Sequence, residues 1–362
     1  MFNRPLHGGN IAWAAALAGC SPDAILDFSA SINPLGPPES AIAAIKSHLP
    51  NLKAYPDPDY HQLRASLSAV HQVPPDWILP GNGSAELLTW AGWELSELDR
   101  VFLIVPAFGD YWRTFKGFNA NVVEYPLLSA AGEVVNLEFL DGKKQTLSSF
   151  NNGLLLNNPH NPTGKLFFQE AILPLLEMFA LVVVDEAFMD FLPPDREQSL
   201  IPWVSEFPNL VILRSLTKFY SLPGLRLGYA IAHPERLQRW QAKRDPWPVN
   251  VLAAAAAEAA IADRVFQQQT WNWLQVSGIK LFQGLAELPG LKPYESAANF
   301  LLVKSAVSTS LLQEKLLKES QILIRDCLSF PELGDRYFRV AVRWEKDNQR
   351  LITELAKVLS KF

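Results

Sequence analysis

Four short apolar runs, Val101–Val105, Gly153–Leu156, Leu181–Val184 and Leu210–Leu213, each break off at polar or turn-forming residues. A run of this length without polar alternation suits a strand covered on both faces. Helical segments separate most of the runs, and a shorter strand at Trp77–Leu79 precedes them. The middle of the chain therefore predicts an α/β unit with a largely parallel sheet. Such sheets bind ligands at the carboxyl ends of their strands. Asn161, Asp185, Ser215 and Lys218 each follow a run by a few residues, so they are expected to converge.

The stretch Arg214–Gly228 is the richest of these strand ends. Ser215, Thr217, Lys218 and Arg226 supply two hydroxyls and two cations, and Gly224 and Gly228 allow tight turns and close backbone approach. That set suits a phosphorylated ligand, which takes hydroxyl donors and a guanidinium fork. A second anion site is expected at Gly81-Asn82-Gly83-Ser84-Ala85, where a glycine turn opens a helix and aims N–H groups outward. Each feature alone has a plainer reading: Lys218 is one of 32 basic residues, and a Gly-Asn-Gly turn is an ordinary connection. Asp185 narrows the choice, because a carboxylate after four apolar residues needs a partner. A metal is one option, but no His or Cys cluster accompanies it, and a cationic heteroaromatic ring suits it better.

At 362 residues and 49% hydrophobic, the chain can bury a large core and is expected to form two lobes. A net charge of -5 argues against a nucleic-acid partner, and the longest apolar stretch, Val249–Ala257, is cut by Glu258 before it could span a membrane. Cys20 and Cys327 form neither a disulfide framework nor a metal-ligand pattern, which fits a cytoplasmic protein with no metal site. Ile11–Cys20 imitates a lipoprotein signal, but the His7-Gly8-Gly9-Asn10 turn favours a helix capped by Asn10 and ended by Gly19.

Asn-Pro-His-Asn-Pro-Thr-Gly at 158–164, Asp185-Glu-Ala-Phe188, Ser215-Leu-Thr-Lys218 and Gly224-Leu-Arg226-Leu-Gly228 occur in one order and spacing. Together they resemble the fold-type I pyridoxal-phosphate (PLP) enzymes of the class I/II aminotransferase family, over nearly the whole chain. The resemblance implies that fold: a large domain with a mostly parallel sheet, and a small α+β domain from both termini. It places residues 1–50 in the small domain, 51–248 in the PLP domain, 249–289 in an interdomain helical segment and 290–362 in the rest of the small domain. Lys218 resembles the lysine that binds the cofactor covalently and moves protons, and Asp185 the carboxylate beneath the pyridine nitrogen. Asn161 resembles the partner of the ring hydroxyl and Phe108 the stacked aromatic. Ser84, Ala85, Ser215 and Arg226 resemble the phosphate cup. Tyr55 resembles a tyrosine that reaches the neighbouring subunit's phosphate, which implies a homodimer. Phe188 stands where many aminotransferases have a tyrosine.

Arg325 and Arg339 resemble arginines that hold substrate anions, Arg339 the family's common one and Arg325 a second found with phosphorylated substrates. His7-Gly8-Gly9-Asn10 and the stretch Asp27–Gly36 resemble most the branch that decarboxylates L-threonine O-3-phosphate for cobalamin biosynthesis, which implies substrate contacts at His7, Gly8, Ser31 and Asn161. Ser31 departs from that branch, which has an asparagine there. The branch that transaminates histidinol phosphate is the alternative. A PLP-binding module without catalysis is a third reading, and the intact Lys218, Asp185 and Asn161 argue against it.

Overall fold

The computed structural model describes residues 4–129, 132–134, 137 and 151–362. In chain order the strands are β1 (Leu26–Asp27), β2 (Ile78–Asn82), β3 (Arg100–Val105), β4 (Val122–Pro126), β5 (Asn152–Asn157), β6 (Leu181–Asp185) and β7 (Leu210–Ser215). They continue as β8 (Leu227–Ala232), β9 (Leu291–Pro293), β10 (Phe300–Ser305), β11 (Ile322–Leu323), β12 (Arg325–Asp326) and β13 (Tyr337–Ala341).

Among the described residues the larger sheet has the order β2-β8-β7-β6-β5-β3-β4. The pairs from β7 through β4 are parallel, and β8 runs antiparallel to both β7 and β2. Alternate residues of the central strands enter two different cores. Leu154, Leu156, Val182, Val184, Leu210 and Ile212 join one, whereas Leu155, Leu181, Val183, Val211 and Leu213 join the other. Helices cover both faces, so the strands cannot alternate apolar with polar residues.

Three features differ from the sequence-based expectation. The strand expected at Trp77–Leu79 runs on through Pro80 and Gly81 as β2. It lies at the edge of the sheet, where a missing proline N–H is tolerated. Strands β4 and β8 were not foreseen, and Gly228 lies inside β8 rather than in a turn. Gly224 does lie in the expected turn, closed by the Leu225 N–H donating to the Leu222 carbonyl at 3.2 Å. It has no left-handed φ, however, and, among the described residues, nothing within 4 Å of an added Cβ, so neither conformation nor a close approach requires glycine there.

The smaller sheet, β12-β13-β10-β9, is antiparallel, and β1 pairs in parallel with β11. Residues near both ends of the chain thus meet. The helix Ile11–Ala18 forms as expected: the Asn10 side chain accepts from the Trp13 N–H at 3.0 Å, and Gly19 ends it at φ 68°. Its Ala14 packs with Leu317 and Leu323. No helix among the described residues is long and apolar enough to cross a membrane.

Candidate active site

A cavity of about 550 Å³ opens at the carboxyl ends of β5, β6 and β7. Ser84, Phe108, Asn161, Asp185, Lys218 and Arg226 line it, and so do His7, Gly8, Ser31, Arg325 and Arg339. Three expected residues stand outside its wall. Ser215 is buried at the end of β7, with its hydroxyl accepting from the Thr217 N–H at 3.4 Å. It pairs with Gly228 in the sheet, and Gly228 abuts the Ser84 N–H, so Ser215 lies behind the cavity floor. Ala85 follows Ser84 in the helix Ser84–Ser96. Tyr55 is 79% exposed and stacks on Trp247, with ring centroids 4.5 Å apart.

The floor carries the titratable pair. Asp185 ends β6, and burial pushes its carboxyl above the usual range, opposed by hydrogen bonds from the Tyr111 hydroxyl at 2.7 Å and the Ala187 N–H at 3.0 Å. Lys218 follows β7 with its amine 5.6 Å from the centroid of the Phe188 ring. Burial brings the amine down from 10.5 to about 8; Asp185 opposes this, and Arg226 and Arg339 add to it. Phe188 offers a ring face where a tyrosine would offer a hydroxyl.

Gly83 opens the helix Ser84–Ser96 at φ 74° with no side chain capping it. The Arg226 guanidinium lies beside it, where an added Gly83 Cβ would come within 2.6 Å of Nη2. Arg226 itself is exposed and, among the described residues, makes one long hydrogen bond, 3.3 Å to the Pro223 carbonyl. An uncapped helix start beside a lightly engaged guanidinium is an anion cradle.

The opposite wall comes from the smaller sheet. Arg325 is buried and donates to the carbonyls of Pro5 and Leu6 and to the Ser329 hydroxyl. Arg339 donates to Asn161 Oδ1 and, at 3.5 Å, to the Ser29 carbonyl. Burial, then the Arg325 charge, brings Arg339 down to about 10, so it remains cationic at neutral pH. The adjacent Asp326 carboxylate is engaged by Arg4 at 3.0 Å. Among the described residues, the hydrogen bonds of Arg325 and Arg339 all end on neutral oxygens. Ser31 is 3% exposed, and its hydroxyl has no hydrogen-bond partner among the described residues.

The N-terminal segment closes one side. The Gly9 N–H donates to Ser29 Oγ at 2.8 Å, and an added Cβ at Gly8 would collide with the Ser29 carbonyl. His7 packs 5.7 Å from Phe108, with Nε2 3.8 Å from Asp110.

The profile of the family described as aminotransferase class I and II matches residues 23–355. The chain belongs to this family. A threonine-phosphate decarboxylase of Salmonella typhimurium is 40% identical, over 99% of this chain and 98% of that one. An adenosylcobalamin biosynthesis bifunctional protein of Leptospira interrogans is 29% identical over 99% of this chain and 41% of that protein. The crystal structure of the histidinol-phosphate aminotransferase from Clostridium acetobutylicum superposes with a TM-score of 0.85 at 29% identity, covering 93% of this chain and all of that one.

For a chain of this aminotransferase family, sequence reasoning passed over Tyr111, which joins the helix Gly109–Gly117 to Asp185. The available signal was its spacing: Tyr111 stands three residues after Phe108, and the two rings meet edge to face. Asp27 and Ser29 also line the cavity; they belong to the stretch Asp27–Gly36 that carries the resemblance, but no role was read for either one. Ser29 donates to Asp27 Oδ1 from its hydroxyl at 2.6 Å and from its N–H at 2.7 Å.

Proposed function

We propose that this chain is a PLP-dependent decarboxylase that converts L-threonine O-3-phosphate to (R)-1-aminopropan-2-yl phosphate for cobalamin biosynthesis, acting as a cytoplasmic homodimer. The observation that carries the reading is the pair Arg325 and Arg339, two guanidiniums in one cavity whose protein partners are neutral oxygens. A substrate with a carboxylate and a phosphate supplies the two anions they lack. The unpartnered Ser31 hydroxyl adds a donor of the right kind, and His7 and Gly8 close the same wall. The Salmonella and Leptospira relatives support the substrate and the pathway.

The residues present fit PLP. The cradle at Gly83, Ser84, Ala85 and Arg226, backed by Ser215, suits its phosphate. Asp185 suits its ring nitrogen, Asn161 its ring hydroxyl, Phe108 its ring face and Lys218 its aldehyde. When bound, PLP supplies an electron sink for the charge left at a substrate α-carbon. Lys218 is prepared to act as nucleophile and proton carrier. With a pKa of about 8, roughly one amine in ten is neutral at pH 7, against roughly one in a few thousand at the ordinary value. The guanidiniums orient the substrate, and the anion each one holds decides whether the carboxylate or the α-proton departs, since only differential binding of the two transition states separates the outcomes.

The lobes are proposed at residues 51–248 and at 1–50 with 290–362, joined by 249–289. The exposed Tyr55–Trp247 stack supports a second copy of the chain, with Tyr55 reaching its partner's phosphate cup. Ser31 and the likeness to the Clostridium aminotransferase favour transamination of a phosphorylated amine as the second reading. The test incubates PLP-loaded protein with L-threonine O-3-phosphate and, separately, with histidinol phosphate plus 2-oxoglutarate. Carbon dioxide from the first mixture alone is expected. Glutamate from the second without carbon dioxide from the first would replace the decarboxylase by the aminotransferase.

A further inference from the structure

We propose that Tyr111 is a positioning residue, whose hydroxyl holds the Asp185 carboxylate ionised and in one orientation toward the ring nitrogen of the cofactor. The inference rests on the cofactor reading above for its functional meaning, but the contact itself belongs to the protein alone. Asp185 Oδ2 accepts from the Tyr111 hydroxyl at 2.7 Å, and Oδ1 accepts from the Ala187 N–H at 3.0 Å. The two donors come from different parts of the fold, the helix after β3 and the turn after β6, so each oxygen is fixed and the carboxylate cannot rotate freely. The main chain is fixed as well: the Asp185 carbonyl accepts from Asn157 Nδ2 at 2.7 Å and from the Asn158 N–H at 2.9 Å.

The environment makes the phenol consequential. Tyr111 is 2% and Asp185 8% exposed, so water is a poor substitute for either donor. Desolvation disfavours the ionised carboxylate, and hydrogen bonds to the charged form oppose it. Lys218 is the charged group that faces Asp185 from the segment after β7, while Asp110 and Asp185 face Tyr111. Tyr111 also meets Phe108 edge to face at 5.7 Å. One short segment therefore carries both the aromatic face for the ring and the donor that sets its counter-charge. A buried tyrosine that merely satisfied its own hydroxyl would leave Asp185 indifferent to its removal.

Tyr111→Phe deletes the donor and keeps the ring. In the cofactor-free protein, carbon-13 NMR of a labelled Asp185 carboxyl should show its titration midpoint raised by about one unit. PLP should bind about tenfold more weakly, with the loss absent when Tyr111→Phe is made in an Asp185→Asn background, because the phenol acts through that carboxylate. Fluorotyrosine in place of Tyr111, a stronger donor, should lower the midpoint and covers the case in which the phenylalanine variant does not fold. An unchanged midpoint, or a loss of PLP affinity that adds in full to that of Asp185→Asn, overturns the proposal. A parent protein that fails to bind PLP removes the cofactor reading, while the carboxyl titration still decides whether Tyr111 holds Asp185.

Discussion

Gly228, Gly83 and Gly224 stand close together in sequence or space yet should respond to alanine in three different ways. At Gly228 the added methyl would lie 2.5 Å from the Ser84 nitrogen, 2.7 Å from the Arg214 carbonyl oxygen and 3.0 Å from the Gly83 carbonyl carbon. All three are main-chain atoms of β7 and of the helix start, so no side chain can swing aside. Overpacking costs roughly 1–3 kcal/mol, and a clash with backbone on two sides belongs at the upper end, about 3 kcal/mol. At Gly83 the methyl meets only the tip of Arg226, at 2.6 Å, but the residue holds φ 74°. With ψ 161° this is the extended positive-φ region that glycine alone adopts readily, so alanine costs about 1–3 kcal/mol, and displacing Arg226 should weaken cofactor binding beyond the stability loss. At Gly224 the space is open and the φ ordinary, so alanine should be neutral or stabilise by up to about 1 kcal/mol through the unfolded chain. Urea unfolding of the cofactor-free proteins, with PLP titrated in parallel, reads both effects. A Gly228→Ala protein as stable as Gly224→Ala would refute the argument that the strand end and the helix start are packed main chain to main chain.

Lys218→Ala should lower turnover by at least about a hundredfold, with free PLP still titratable into the site; turnover within tenfold of the parent would remove Lys218 from proton transfer. Arg339→Lys keeps the charge but loses the fork that reaches Asn161 and Ser29, so KM for the phosphorylated substrate should rise about tenfold or more, and an unchanged KM would move the anion elsewhere. His160 is 1% exposed, and burial lowers its pKa from 6.5 to about 3. The unfolded chain therefore binds the extra proton first, and stability tied to neutral His160 is lost as pH falls from 6.5 toward 3. His160→Asn should flatten that acid limb by up to about 1.4 kcal/mol per pH unit in urea titrations, and an unchanged slope would refute it.

The central strands were legible because burial on both faces leaves no room for polar alternation, and Leu181–Val184 shows this by sending successive valines into opposite cores. The edge was less legible for the same reason in reverse. At β2 one side of the strand is unpaired, so Pro80 and Gly81 are permitted and local rules read them as a turn. The convergence of Asn161, Asp185 and Lys218 followed from the rule that strand ends share an edge, which needs only topology. Tyr111 lies 74 residues from Asp185 in the chain, and no local pattern couples a phenol to a carboxylate at that distance. Arg325 and Arg339 mark the same boundary more sharply. Their guanidiniums were visible in the sequence, but their value as anion sites depends on what the fold withholds from them: Asp326 stands next to Arg325 in the chain, yet its carboxylate is engaged by Arg4. Asp326 attracts the Arg325 charge without bonding to it, so the sequence names the donors and the packing decides which remain without a hydrogen-bonded carboxylate. Those unmet groups, the two guanidiniums and the Ser31 hydroxyl, are what a ligand with two anionic ends would satisfy.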